Sequence, residues 1–294
     1  MLADSEVADA YRYCRDIANN HYENFPTASR LIQAELRPAV AAIYAFARHA
    51  DDIADRNDRP VHVREKELEA WETLLERSPH QVVDHPILLA LGDTVRRHDL
   101  PIELLHDLLT AFRMDLTIHR YSSVADLHYY CRYSANPVGR LMLALHGVDN
   151  PDALSASDDI CSGLQLTNFW QDLCRDLADE RCYLPLEWLQ LYQLDHEQLL
   201  EDRADPEALR QALAHAISYT RGLFDRGERL LAYLPWRLRW QIAATLVGGR
   251  ATLAAVERSP DPRHHRPLLT RREWILSLLS VVRTALHPAR VSSS

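Results

Sequence analysis

The chain has 294 residues and a formal charge of −9, from 33 Lys and Arg against 42 Asp and Glu. That balance argues against a nucleic-acid binder, whose footprint is normally basic. Five cysteines, an odd number without a C-x-x-C pair, argue against a disulfide framework or a structural zinc site and favour a reducing cytoplasm.

Glycine is scarce, with eight in the whole chain, and prolines fall between apolar-periodic blocks. Ala, Leu, Glu, Arg and Gln dominate, all good helix formers. Alternating β-branched runs and Asn-Gly hairpins are missing. The pattern predicts an all-α fold of roughly ten to twelve helices with short loops. No linker interrupts it, so one domain over residues 1–294 is expected, with a disordered tail from about residue 288. The N-terminus has no apolar signal core, and no apolar run approaches the ~18 residues of a membrane span. The expectation is a soluble or peripheral protein.

In chain order, Pro38 opens a predicted helix to about Asn57. "YAFARHADDIAD" (44–55) lies within it. Tyr44, Arg48, Asp51 and Asp55 follow the spacing 4, 3, 4 and share one stripe, with Asp52 to the side. One reading is a solvated acidic helix end. The other follows from Ala41, Ala42, Ile43, Ala45, Phe46 and Ala47, which leave almost no polar face and mark a central helix. There the carboxylates would need a cation. Further on, Pro137 lies inside a predicted helix and is expected to kink it.

"LQLTNFWQDLCRDLADERCYLP" (164–185) repeats the pattern. Gln165, Asn168, Asp172, Asp176 and Asp179 fall at spacings 3, 4, 4, 3, a narrow helical stripe of two amides and three acids. Leu164, Leu166, Phe169, Trp170 and Leu173 cover much of the rest. A salt-bridged amphipathic helix is the plain alternative. Two such stripes facing each other would form a ring of carboxylates that repel strongly in a low dielectric. Magnesium, hard and oxygen-seeking, is the natural neutraliser, and it would clamp a phosphate or diphosphate. Zinc fits less well, because neither stripe carries His or Cys at ligand spacing. Arg48, Arg175 and Arg181 are nearby donors for phosphate oxygens.

"LLAYLPWRLRWQIAATLV" (230–247) admits two readings. Trp236 and Trp240 lie one turn apart with Arg237 and Arg239 between them, which suits a membrane interface. A core helix with its tryptophans inside is the alternative. "SPDPRHHRP" (259–267) is a loop before the last helix.

These residues resemble the squalene/phytoene synthase family of head-to-head prenyl synthases over roughly residues 10–285. "YAFARHADDIAD" is similar to the family's first aspartate motif and "NFWQDLCRDLADERCYLP" to its second. "HYENFPTASRLI" resembles its N-terminal phosphate-site segment and "YCRYSANPVGRL" its central helix. The resemblance implies an isoprenoid synthase helical bundle around a central apolar cavity, magnesium, and a diphosphate that ionises to a buried carbocation. By matching positions, Asp51, Asp55, Asp172 and Asp176 are implied metal carboxylates, with Asp52 beside them. Arg48 and Arg181 are implied diphosphate contacts, with Arg175 added from its position. His21 and Phe25 fall on the N-terminal segment. Tyr44, Tyr133, Gln165, Asn168 and Phe169 fall on the cavity wall.

The sequence departs from the family pattern at Gln171, where an arginine is usual, at Arg175, where an acid is usual, and at Asn136, where glycine is usual. These variants resemble the bacterial hydroxysqualene synthase branch of hopanoid pathways. That implies conversion of presqualene diphosphate and water to hydroxysqualene and diphosphate. Coupling of two farnesyl diphosphates stays open as an alternative, as does a helical scaffold without catalysis. Asn136 is the residue expected to place the water. A poorly soluble substrate and product also imply contact with the inner membrane face and handover to other enzymes of the pathway.

Overall fold

The computed structural model describes residues 4–20, 32–56 and 58–286. His21 and Phe25 therefore lie outside the described residues. The described backbone is helical and holds no strand, only a single bridge between Arg120 and Cys182. It groups into two compact units, and the chain passes between them after Thr117, inside a helix after Gly139, and after Asp149.

The first unit contains α1 (Asp4–Asn20), α2 (Arg37–Ala54), α3 (Val61–Arg77), α4 (Pro86–His98) and α5 (Glu103–Asp115). Pro38 sits in the first turn of α2, where its fixed φ and missing N–H cost nothing. Ten of the eighteen α2 residues are buried, and Phe46 stacks on Trp71 of α3 at 5.7 Å between ring centres. Tyr11 of α1 donates to the buried Asp93 carboxylate of α4 at 3.0 Å, which pins those two helices together. α2 is thus the central helix that its composition predicts.

The second unit contains α6 (Val124–Ser134), the start of α7 (Asn136–Leu145), α8 (Pro151–Gln171) and α9 (Leu173–Ala178). It continues through α10 (Leu186–Gln190), α11 (His196–Leu200), α12 (Pro206–Gly227), a 3-10 turn (Glu228–Tyr233), α13 (Trp236–Arg258) and α14 (Arg271–Leu286). α8 starts on Asn150, whose side-chain oxygen accepts from the amides of Asp152 and Ala153 at 2.8 and 3.2 Å. It packs against α12 and α13. Small residues permit that approach: a Cβ on Gly163 would come within 2.9 Å of the Phe224 ring, and one on Gly249 equally so.

Fourteen helices are present among the described residues, more than predicted. The surplus comes from α9, α10 and α11, each of five or six residues, too short to show a 3.6-residue period. Pro137 does not kink a continuous helix. The chain breaks at Ala135, and Pro137 occupies the first turn of the next helix. Proline disfavours α geometry in the residue before it and cannot donate to the previous turn, so the break moves ahead of it. In α13, Leu238, Gln241, Ala243 and Leu246 are buried, while Trp236 is 66% exposed and Arg237 is exposed. The segment is a core helix with one tryptophan left outside. No helix among the described residues is long and apolar enough to cross a membrane.

Candidate active site

In the first unit, the acids lie where α2 leaves the core. Arg48 contacts Asp51 at 3.3 Å and Asp52 at 2.7 Å, one turn ahead on the same helix. Both carboxylates are partly exposed, and Asp55, at the helix end, is exposed. Of the two readings that the sequence left open, the solvated helix end is the one observed for the acids. The apolar body of α2 is central, but its last turn reaches water, and the Arg48 guanidinium supplies the cation. Asp52, set to the side in the stripe, is the closer partner. Tyr44 is near enough for its phenol to act on Arg48 electrostatically.

In the second unit, Gln165, Asn168 and Phe169 lie on the last turns of α8. The predicted stripe does not stay on one helix. Asp172 caps α8 and precedes α9, which carries Arg175 and Asp176, and Asp179 caps α9. The hydrogen bonds nearly carry through: the Asp172 amide donates to Asn168 at 2.8 Å, and the Asp176 amide to Asp172 at 3.0 Å. The offset is small, so Asp172 and Asp176 remain close. Burial first, then the Asp172 carboxylate, pushes the Asp176 carboxyl up to about 7, against the pull of Arg181 and Arg175. Arg175 is largely exposed and stands 3.6 Å from Asp172.

The principal cation on Asp172 is one that the sequence reading did not name. Arg266, in the loop between α13 and α14, forks onto the Asp172 carboxylate through Nε and through Nη2, the latter at 3.2 Å. Gln171 locks that loop in place. Its amide nitrogen donates to the Pro267 carbonyl at 2.8 Å, and its oxygen accepts from Arg266 at 3.3 Å. Gln171 is buried, so its two contacts satisfy a side chain that would otherwise be costly there. At Gln171, where the resemblance leads one to expect an arginine, the chain has an amide, and a guanidinium reaches the neighbouring Asp172 from the loop. The signal was the arginine-rich "RHHRP" beside a motif that lacks its arginine.

The aromatic residues divide. Phe169 stacks face to face on Tyr183 at 3.6 Å, and Tyr130 and Tyr121 extend the buried cluster. Trp170 points elsewhere: its indole N–H donates to Thr220 of α12 at 2.9 Å, fully buried. It is a packing residue, not part of the polar stripe. Tyr133 is half-buried, 5.0 Å from Tyr129 between ring centres, and carries the Arg132 guanidinium over its face at 5.5 Å. The Asn136 oxygen accepts from the Ser162 hydroxyl of α8 at 3.0 Å. The loop after α9 is fastened when the Cys182 amide donates to His119 at 2.8 Å, which fixes the chain just beyond Arg181.

Among the described residues, no three His, Cys, Asp or Glu side chains stand together as a ready-made metal site. Each aspartate segment does offer hard carboxylate donors, and at Asp176 burial first and then the Asp172 carboxylate raise the carboxyl above its ordinary value. This donor set fits magnesium, which keeps several waters and takes one or two protein carboxylates with substrate phosphate.

The sequence profile of the squalene/phytoene synthase family matches residues 18–273. The hydroxysqualene synthase of Rhodopseudomonas palustris is 38% identical over 258 residues, which span 87% of this chain and 86% of that protein. The chloroplastic phytoene synthase 2 of Oryza sativa subsp. japonica is 29% identical over 85% of this chain, but the match spans only 64% of that longer protein. Among solved structures, squalene synthase HpnC from Alicyclobacillus acidocaldarius aligns with a TM-score of 0.82 at 35% identity, covering 88% of this chain and 97% of its own. The all-α isoprenoid synthase fold expected from the sequence is the fold observed.

Proposed function

The chain belongs to the squalene/phytoene synthase family, and from that premise we propose that it converts presqualene diphosphate and water to hydroxysqualene and diphosphate. The observation that carries this reading is the 38% identity to a hydroxysqualene synthase along nearly the full length of both chains. The departures at Gln171, Arg175 and Asn136 support it. The five free cysteines fit a reducing cytoplasm.

Asp51, Asp52 and Asp55 in the first motif, and Asp172 and Asp176 in the second, would hold magnesium. When bound, the metal supplies positive charge that steadies the departing diphosphate. Arg48, Arg175, Arg181 and Arg266 add donors for phosphate oxygens. Arg48 and Arg266, which hold these carboxylates in the structure, would have to give them up for the metal to be bound there. Ionisation leaves a cyclopropylcarbinyl cation in an apolar cavity. Tyr44, Tyr133 and Phe169, the wall positions that the resemblance implies, would offer π density to it, with Phe25 added from the N-terminal segment. Tyr183 stacks on Phe169 and holds the ring still. Asn136, held by Ser162 through its oxygen, presents its amide N–H groups to the water that captures the rearranged cation. Gln165 and Asn168 would line the cavity wall, and His21, on the N-terminal segment that resembles a phosphate site, would serve the diphosphate.

A second reading is coupling of two farnesyl diphosphates, favoured by the squalene synthase among the solved structures, since squalene is a C30 chain of two C15 units. Purified protein with magnesium, given presqualene diphosphate in one tube and farnesyl diphosphate in the other, separates the two. The proposal expects hydroxysqualene from the first tube without NADPH, and little product from the second. Efficient coupling in the second with none in the first would install the alternative. No turnover in either would favour a scaffold without catalysis.

A further inference from the structure

Helix α14 is amphipathic in the reverse of the usual sense. It packs against α13, and its least accessible residues are Glu273, Ser277, Val281 and Thr284, mostly polar and only partly accessible, together with the buried Ala285. Trp274, Ile275, Leu278, Leu279, Val282 and Leu286 all face outward, each 45% exposed or more. At 100° per residue these six fall within an arc of about 140°. Isolated exposed apolar residues are ordinary, but a contiguous face of this kind marks a binding surface.

The charges say what covers it. Arg271 opens the face, and Arg272 and Arg283, about 20° apart on the helical wheel, run along one edge; all three are exposed. The helix has one acid, Glu273, on the packed side, where it contacts Arg258 and accepts from the Thr270 amide at 2.8 Å. An acidic protein has therefore placed an arginine-edged apolar face on a helix that brings no acid of its own to that face. A second copy would bring arginines and no acids to meet it. α13, the helix it packs on, adds the exposed Trp236 and Arg237.

We propose that α14 is a membrane-docking helix, lying in the plane of an anionic bilayer with its apolar face among the acyl chains and its arginines at the phosphates. A helix of this kind sinks about 5–10 Å into the interface, with arginine and tryptophan at headgroup depth. The assignment extends the function proposed above, whose substrate and product are both lipid-soluble, but the surface is read from the helix alone.

Full-length protein is mixed with vesicles of phosphatidylcholine, with or without phosphatidylglycerol and free of any prenyl diphosphate, and then sedimented. Because no substrate is present, failure to bind counts against this inference and leaves the catalytic reading untouched. The wild type should sediment with the anionic vesicles at low salt, less so at high salt, and poorly with phosphatidylcholine alone. Leu278→Glu with Leu279→Glu should weaken binding at least about ten-fold. Arg272→Gln with Arg283→Gln should weaken it about five-fold per arginine. Both variants should keep wild-type helicity by circular dichroism, since the altered side chains already face water. Absence of wild-type binding at low salt, or equal binding by the leucine variant, overturns the proposal. So does a dimer in sedimentation velocity that the leucine variant splits, because the face would then belong to a second copy.

Discussion

The two aspartate segments look alike in the sequence and differ in the folded chain. The first ends a buried helix in water, and its acids are neutralised by Arg48 from the preceding turn. The second straddles a helix break, is partly desolvated, and takes its cation from Arg266, 94 residues away. A local arginine at a solvated site costs little to displace, because exposed ion pairs contribute about 0–1 kcal/mol. A forked guanidinium at a half-buried carboxylate, held by Gln171, is worth more. The same carboxylate chemistry is thus mounted at two levels of restraint.

The largest expected effect tests whether that difference matters to function. Asp51→Asn and Asp172→Asn should each lower turnover of presqualene diphosphate by at least ~10²-fold, with helicity unchanged by circular dichroism. If one of them keeps full activity, the two segments are not both part of the machinery.

Next come the two arginines, measured by titrating Mn²⁺ as a spectroscopic probe without substrate. Arg266→Ala frees Asp172 and should tighten metal binding about ten-fold. Arg48→Ala frees solvated acids and should tighten it only about two- to five-fold. Equal effects would erase the contrast between the segments.

A smaller effect concerns pH. Asp176 keeps its proton to about 7 in the folded protein, against 3.8 for the unperturbed group. Between those values the folded state binds more protons than the unfolded one. This residue's contribution to the stability of metal-free protein is therefore fully present below 3.8 and is lost as pH rises through about 7. Asp176→Asn should flatten the thermal midpoint against pH over that window, and an unchanged profile would mean the carboxylate is not desolvated as described.

The smallest concerns product partition. Asn136→Gly should raise the share of dehydrated hydrocarbon over alcohol without slowing diphosphate release. An unchanged ratio would leave Asn136 as a partner for Ser162 alone.

Some of this was legible before the fold. The α2 stripe could be read because three- and four-residue spacing is a property of any helix, and the alanine-rich run fixed its centrality. The exit of its last turn into water was one of two readings that the sequence left open, since periodicity gives a face and not a depth. The break at Asp172 was hidden because the hydrogen bond to Asn168 persists across it. Trp170 shows a related limit: a helix apolar nearly all round does not say what each ring packs on, and Thr220 on α12 decides it. Arg266 belongs to a loop, where no period exists, and its contact spans 94 residues. α14 was legible as the last helix, but which of its faces is left outside depends on α13.

The proposed reaction is tested most directly by running it in ¹⁸O-labelled water with magnesium and presqualene diphosphate, without NADPH, and weighing the product. The account predicts a C30 alcohol carrying one ¹⁸O, because water is the nucleophile that captures the cation. An unlabelled hydrocarbon as the main product, or no turnover of presqualene diphosphate while farnesyl diphosphate is consumed, would contradict it.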